Sequence, residues 1–299
     1  MTTVKKTQIT PMQNMVAYLG GSVFQTIVDN PVTSFRQLVQ QYAKNPNGEL
    51  VSPKIAQQEA IAVFKKYPVQ ASLSGLTPRL IGVGFKRIPK FASFLGISYV
   101  MKEKGEPGLL SATFASVASA PFINPIRMIE KQQRAYFRET GTEKSVLSIL
   151  KDSSEKKFKP LFRGTVPLMG HSLASATTGL VGQPKLQKYI EKQLGQTTNF
   201  SMVATNLISS CVVSPIYVIM TNPLSRLEVI MQTNSIKSKS ITLRGALNEY
   251  FQDIQKNGMK GFGRGQFIGM TKAVISLTTF HLGRIWCTDG FKLYNSKFN

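Results

Sequence analysis

One dipeptide recurs near the end of three long apolar segments, and it limits what this chain can fold into. Asn30-Pro31, Asn124-Pro125 and Asn222-Pro223 are each followed, five residues after the proline, by a charged side chain: Arg36, Glu130 and Glu228. The prolines lie 94 and 98 residues apart, so the 299 residues read as three related units within one body. A proline inside a helix removes one backbone donor and kinks it, and Pro31, Pro125 and Pro223 are read as such kinks. Within a membrane the freed carbonyls need partners, so these prolines should face protein or a water-filled cavity.

Charge placement supports that setting. Lys+Arg outnumber Asp+Glu by 37 to 15, a formal net charge of +22. Such an excess implies an anionic partner: nucleic acid, a lipid surface or an acidic small molecule. Residues 10–28, 108–126 and 200–225 carry no charge, while lysines crowd the segments between them. Uncharged runs of 18 or more residues with basic flanks read as transmembrane helices. A nucleic-acid binder would instead gather its charge on one face, so no nucleic-acid partner is expected. Cys211 and Cys287 match no ligand spacing and are read as buried small hydrophobes, with no disulfide framework and no metal site. Neither a Ser/His/Asp order nor a phosphate-cradling glycine loop is present, so the chain is not expected to be an enzyme. Met1 to Gln13 has two lysines, no arginine and no continuous apolar core, unlike a signal peptide or a cleaved transit peptide.

In order along the chain, each unit reads as long helix, short amphipathic helix, long helix. The first unit, residues 1–105, has long helices at about 12–40 and 76–101, with Gly20-Gly21 as a small-residue contact and a short helix over 54–66. Its second helix carries Arg79, Lys86, Arg87 and Lys90 inside an otherwise apolar segment. Charges at that depth face a bundle interior or water, or snorkel to the interface, and both readings stand for Lys86 and Lys90. The second unit, 106–198, has helices at about 108–135 and 166–193, a short helix near 143–152, and His171. The third, 199–299, has helices at about 200–232 and 266–293, a short helix at 243–256, and Lys272, His281 and Arg284 in its last helix. The expected fold is an all-α membrane protein with six transmembrane helices in three repeats and pseudo-threefold symmetry. Six spans put both termini on one side.

These features resemble the mitochondrial carrier family over nearly the whole chain, from about 14 to 293. That family has Pro-x-acidic-x-x-basic on its odd helices, often with a Gln four residues beyond the basic position. Each short surface helix is followed by an aromatic-basic-Gly element. Here the prolines match at 31, 125 and 223, and the glutamines at Gln40 and Gln232. Phe162-Arg163-Gly164 and Gly263-Arg264-Gly265 match the second element, with Ser74-Gly75 a weaker first copy. The resemblance implies a multi-pass protein of the mitochondrial inner membrane, with its short helices on the matrix side and membrane lipids, cardiolipin among them, around it. It also implies alternating access, in which a ring of ion pairs after the prolines closes the matrix side and a second ring closes the other.

The chain departs from the family pattern at those positions. The acidic places hold Thr33, Arg127 and Ser225, and the basic places hold Arg36, Glu130 and Glu228. Family pairing between neighbouring repeats would set Arg127 against Glu228 with reversed polarity, Glu130 against Thr33, and Arg36 against Ser225. Tyr99 to Glu103 and Tyr189 to Gln193 do not supply the second ring. Such changes are read either as ordinary divergence or as a gate relaxed because transport was lost.

Substrate contacts in the family lie midway along the even helices, which by count from the matched glycines points to His171 and Lys272. In the first unit the count from Gly75 reaches Gly82, whereas Pro89 points to Lys86. The run from Gly75 to Gly82, with Lys86 and Lys90, is similar to the second helix of mitochondrial phosphate carriers. A cavity holding Lys86, Lys90 and Lys272 would favour an anion, phosphate or a small carboxylate. His171 and Lys272 read equally as helix-contact side chains. Two functions follow: a carrier moving a small anion, or a transport-inactive carrier-like chain serving as a structural subunit of a larger inner-membrane complex, such as a respiratory one.

Overall fold

The computed structural model describes residues 11–43, 49–84, 109–175, 177–178, 182–194, 199–233 and 241–298, and these are predominantly helical, with no β-strand among them. The first helix, α1 (Pro11–Gln41), carries Pro31 inside it. It is followed by α2 (Pro53–Lys66), α3 (Pro68–Leu73) and α4 (76–84). Next come α5 (Leu109–Thr140), with Pro121 and Pro125 inside, and α6 (Val146–Glu155), then a 3-10 turn (Lys159–Phe162). The chain continues through α7 (Thr165–Ser175), α8 (Gln183–Leu194), α9 (Asn199–Thr233), α10 (Leu243–Phe262) and α11 (Gln266–Phe298).

The three short helices start alike. Ser52, Ser145 and Thr242 each stand at the N-cap, their hydroxyls accepting from the backbone N–H of Ile55, Ser148 and Gly245. This satisfies a donor the first turn would otherwise leave open. Each short helix then packs on the long helix before it. Leu38 and Val39 meet Ala56 and Ala60; Met128 and Ile129 meet Ile149; Leu227, Ile230 and Met231 meet Ala246 and Tyr250.

Higher on the long helices the usual distribution is inverted. Ser116, Ser119, Thr205, Asn206, Ser209 and Ser210 are almost wholly buried, while Phe114, Phe122, Ile208, Val212, Ile216 and Ile219 are exposed. In water, an apolar exterior of this extent would be a binding or aggregation surface. Among the described residues one helix has the length and hydropathy to cross a membrane, over Ala204–Gln232 of α9. The uncharged runs of α1 and α5 are followed on the same helices by buried charge at Asp29, Arg36, Glu130, Lys131 and Arg134.

Several boundaries depart from expectation. The helix expected over 166–193 is divided into α7 and α8, with 177–178 and 182 in wide π-type turns. Pro184, which has no N–H to donate, fits the first turn of a new helix better than the middle of an old one. The short third helix runs on to Phe262 across a break at Gly258, whose φ of 58° only glycine adopts without strain. Of the helix expected over 76–101, Lys86, Arg87, Lys90 and the Tyr99 run lie outside the described residues. Cys211 is exposed on α9 instead of buried, and Cys287 is half-buried. At Gly20-Gly21 the helices do approach closely: a Cβ on Gly283 of α11 would lie 2.9 Å from the Gly21 Cα. Any larger residue would push α1 and α11 apart.

Candidate functional site

The asparagine before each motif proline organises the site. Its amide nitrogen donates to two carbonyls of the turn that precedes the next long helix. Asn30 Nδ2 reaches Ser72 O (2.7 Å) and Ser74 O (3.3 Å); Asn124 Nδ2 reaches Leu161 O (2.8 Å) and Arg163 O (3.0 Å). Asn222 Nδ2 reaches Phe262 O (3.2 Å) and Arg264 O (3.5 Å). The glycines that follow these turns, Gly75, Gly164 and Gly265, have φ of 68°, 81° and 72°, so the chain can reverse there without a Cβ clash.

The other end of each amide faces a different motif copy. Asn30 Oδ1 accepts from Arg134 Nη2 (3.0 Å), Asn124 Oδ1 from Gln232 Nε2 (3.1 Å), and Asn222 Oδ1 from Gln40 Nε2 (3.4 Å). Arg134, Gln232 and Gln40 all stand nine residues after their proline. The first copy is thereby tied to the third, the third to the second, and the second to the first, closing a ring of buried amides. Gln40 and Gln232 were singled out from the sequence. The asparagines and Arg134 were not given a role, although all three copies begin Asn-Pro.

The charged positions sit on this ring. Arg127 Nη1 lies 3.4 Å from Glu228, and Lys131 Nζ lies 2.9 Å from the other carboxylate oxygen. Lys131 is four residues after Arg127 and so shares its helix face, a signal the sequence contained. Glu130 does not hydrogen-bond Thr33, whose buried Oγ1 has no partner. Its carboxylate instead takes Arg134 Nη1 at 2.5 Å, Gln37 Nε2 at 3.3 Å and Arg79 Nε at 3.7 Å. Charged donors outcompete a neutral hydroxyl for a buried carboxylate. Arg36 likewise turns from Ser225 to Asn222, its Nη2 donating to Oδ1 at 2.9 Å, while its buried Nε has no partner.

Above the ring lies a carboxylate that sequence reading passed over. Asp29, 1% exposed, accepts from Arg79 Nη2 at 2.6 Å and from the Ser276 hydroxyl. Lys272, one turn before Ser276, is within electrostatic reach of Asp29, Arg79, Arg36 and Arg127. His171 packs its ring edge-on to Tyr217, 6.3 Å between centroids, and feels the charges of Arg127, Lys272, Arg36 and Lys131. Of the four substrate positions named from the sequence, His171 and Lys272 therefore share one interior with the ring, and Lys86 and Lys90 lie outside the described residues. Among the described residues, Arg36, Arg79, Arg127, Lys131, Arg134 and Lys272 lie around three carboxylates: Asp29, Glu130 and Glu228. Among the described residues neither Arg36 nor Lys272 has a carboxylate at ion-pair distance. The interior is positive, and positive charge held away from water attracts anions.

A separate clamp holds α10 in place. Asp253 takes Arg226 Nη2 at 2.6 Å and Arg264 Nη2 at 2.9 Å, all three side chains being buried. Burial pushes the Asp253 carboxyl up, but the hydrogen bonds and charges of the two guanidiniums outweigh it and hold the group below the usual carboxylate range. Among the described residues no group of three or more His, Cys, Asp or Glu side chains is gathered as a metal ion would require. Compared with known families and curated proteins, the chain matches no family model and no curated protein.

Proposed function

We propose that this chain is a carrier of the mitochondrial inner membrane, with six spans in three repeats, that moves a small anion by alternating access. Phosphate or a small carboxylate fits the interior best. The observation that carries the reading is the interior surplus of cations: buried Arg36 and half-buried Lys272 have no carboxylate partner among the described residues, inside a bundle whose exterior is apolar. An uncompensated buried charge is costly, and a passing anion relieves that cost. The ring of amides and ion pairs supports the gating half of the proposal, because it joins three helices at one end through bonds that can be made and broken together. Lipids such as cardiolipin would surround the bundle, and neither a catalytic step nor a resident cofactor is assigned.

Purified protein in liposomes is expected to exchange phosphate or a small carboxylate, and Lys272→Ala is expected to abolish the exchange. No uptake across a broad anion panel, together with co-migration in a large complex on a native gel, would favour the structural-subunit reading instead.

A further inference from the structure

The three motif copies do not close the ring in the same way. In the third copy Glu228 is held by Arg127 and Lys131, and in the second Glu130 is held by Arg134 and Arg79. In the first, among the described residues, Arg36 donates to the amide oxygen of Asn222 alone. Glu228 is the carboxylate whose charge acts on Arg36, and it is already engaged by two other cations. Arg36 is 5% exposed, and its Nε has no hydrogen-bond partner among the described residues. Its guanidinium packs against α11 at Gly269, where a Cβ would come within 3.2 Å of Cζ and Nε. Lys272 stands three residues further along α11, so the two cations occupy neighbouring turns of one face. Ser225, one turn beyond Asn222 on α9, stands on the same face as the Arg36 partner.

We propose that a small dianionic oxyanion completes the ring, bridging Arg36 and Lys272 in the place that Ser225 leaves without a carboxylate. This deepens the transport reading and rests on it for the class of solute. A planar guanidinium presents a fork of N–H donors that fits paired oxygens, and the lysine adds a point charge. The bound anion then acts as a counter-ion of the gate: the closed ring is more stable with the anion than without it. Binding and closure are coupled in this way because the anion meets both cations only when α1 and α11 are held against α9.

The test is thermal unfolding of the full chain in neutral detergent with inorganic phosphate or succinate, against chloride at matched ionic strength. Tenfold excess over Kd is expected to raise the midpoint by about 3 °C. Ser225→Glu supplies the missing carboxylate, so it is expected to raise the midpoint without anion and to lose most of the phosphate response. Arg36→Gln is expected to lose the response as well; should it fail to fold, Ser225→Glu still decides. A full phosphate response in Ser225→Glu, or none in the wild type, overturns the proposal. Stabilisation by an added anionic phospholipid but not by phosphate overturns its assignment to a solute. Phosphate binding that Ser225→Glu removes, without exchange in liposomes, keeps this site and sinks transport. Exchange that Ser225→Glu leaves unchanged does the reverse.

Discussion

The two ends of the long helices are polar in different ways. Around the motif prolines, side chains reach across from one helix to another: Gln232 to Asn124, Arg134 to Asn30, Lys131 to Glu228. Toward the N-terminal halves of α1, α5 and α9 many of the buried polar groups are hydroxyls that turn back on their own helix. Ser22 donates to Tyr18 O, Ser119 to Ser116 O, Ser209 to Asn206 O and Ser214 to Ser210 O. The first pattern latches helices together; the second only hides polarity. One end is thus fastened by bonds that must be broken before it opens; among the described residues the other shows Gln183 Nε2 to Ser210 Oγ (3.0 Å) and the glycine seam of α1 with α11. On these ties the motif end is the latch side and the far end the hinge side.

The harshest way to break the latch is to remove Glu228. Glu228→Gln leaves Lys131 buried and Arg127 half-buried without their carboxylate, and is expected to cost about 3 kcal/mol, read from thermal or denaturant unfolding in detergent. A loss under about 1 kcal/mol would mean that water already fills the interior at this point and the ring is not a latch.

The α10 clamp should show itself through pH. Its carboxylate sits below the ordinary value of 3.8 in the folded protein, so its stabilisation is present in full above that value and is lost as pH falls through it and below. Asp253→Asn is expected to lower the unfolding midpoint at neutral pH by the equivalent of about 1.5–3 kcal/mol, the worth of hydrogen bonds to a charged group. Variant and wild type should converge on acidification. The cost stays below that of Glu228 because Arg226 and Arg264 keep the carbonyls of Gly261 and Val51 as partners. An acid profile unchanged by the substitution would remove Asp253 as the group responsible.

Much of this arrangement was readable in the letters. Three Asn-Pro copies at a near-constant spacing marked helix positions that meet in the ring, and the reversed polarity of Arg127 and Glu228 pointed to a pair that stands at 3.4 Å. The Glu130 and Arg36 partners were not readable, because pairing position against position assumes that only the aligned residues compete. Arg79 comes from a different helix, Arg134 from the next turn, and an amide stands in for a hydroxyl. Asp29 was passed over for a related reason. It ends an uncharged run, where a lone acid reads as the boundary of a segment and not as the partner of Arg79 some fifty positions away. The passage from α7 into π-type turns at 177–178 and 182 was not legible, since apolar periodicity continues through Gly182 and Pro184.

Replacing one ring asparagine tests the geometry without touching a charge. Asn124→Ala takes the amide donor from the Leu161 carbonyl, one of two donors from the Arg163 carbonyl (which keeps Gln232 Nε2 at 3.2 Å), and the acceptor that Gln232 meets on Asn124, and is expected to cost about 1–2 kcal/mol. Asn124→Asp should not rescue it, because a carboxylate lacks the donor those carbonyls need. The matching change at the other end is Ser214→Ala or Ser22→Ala. Each removes a hydroxyl that bonds four residues back within its own helix, an arrangement that slightly disfavours the helix, and each installs the best helix former. The expected change is within about 0.5 kcal/mol of zero, and the two substitutions should add. If Ser214→Ala instead cost as much as Asn124→Ala, the hydroxyl end would be holding helices together as firmly as the amide ring does. The molecule would then have two latches and no hinge side, and a bundle fastened at both ends could not alternate.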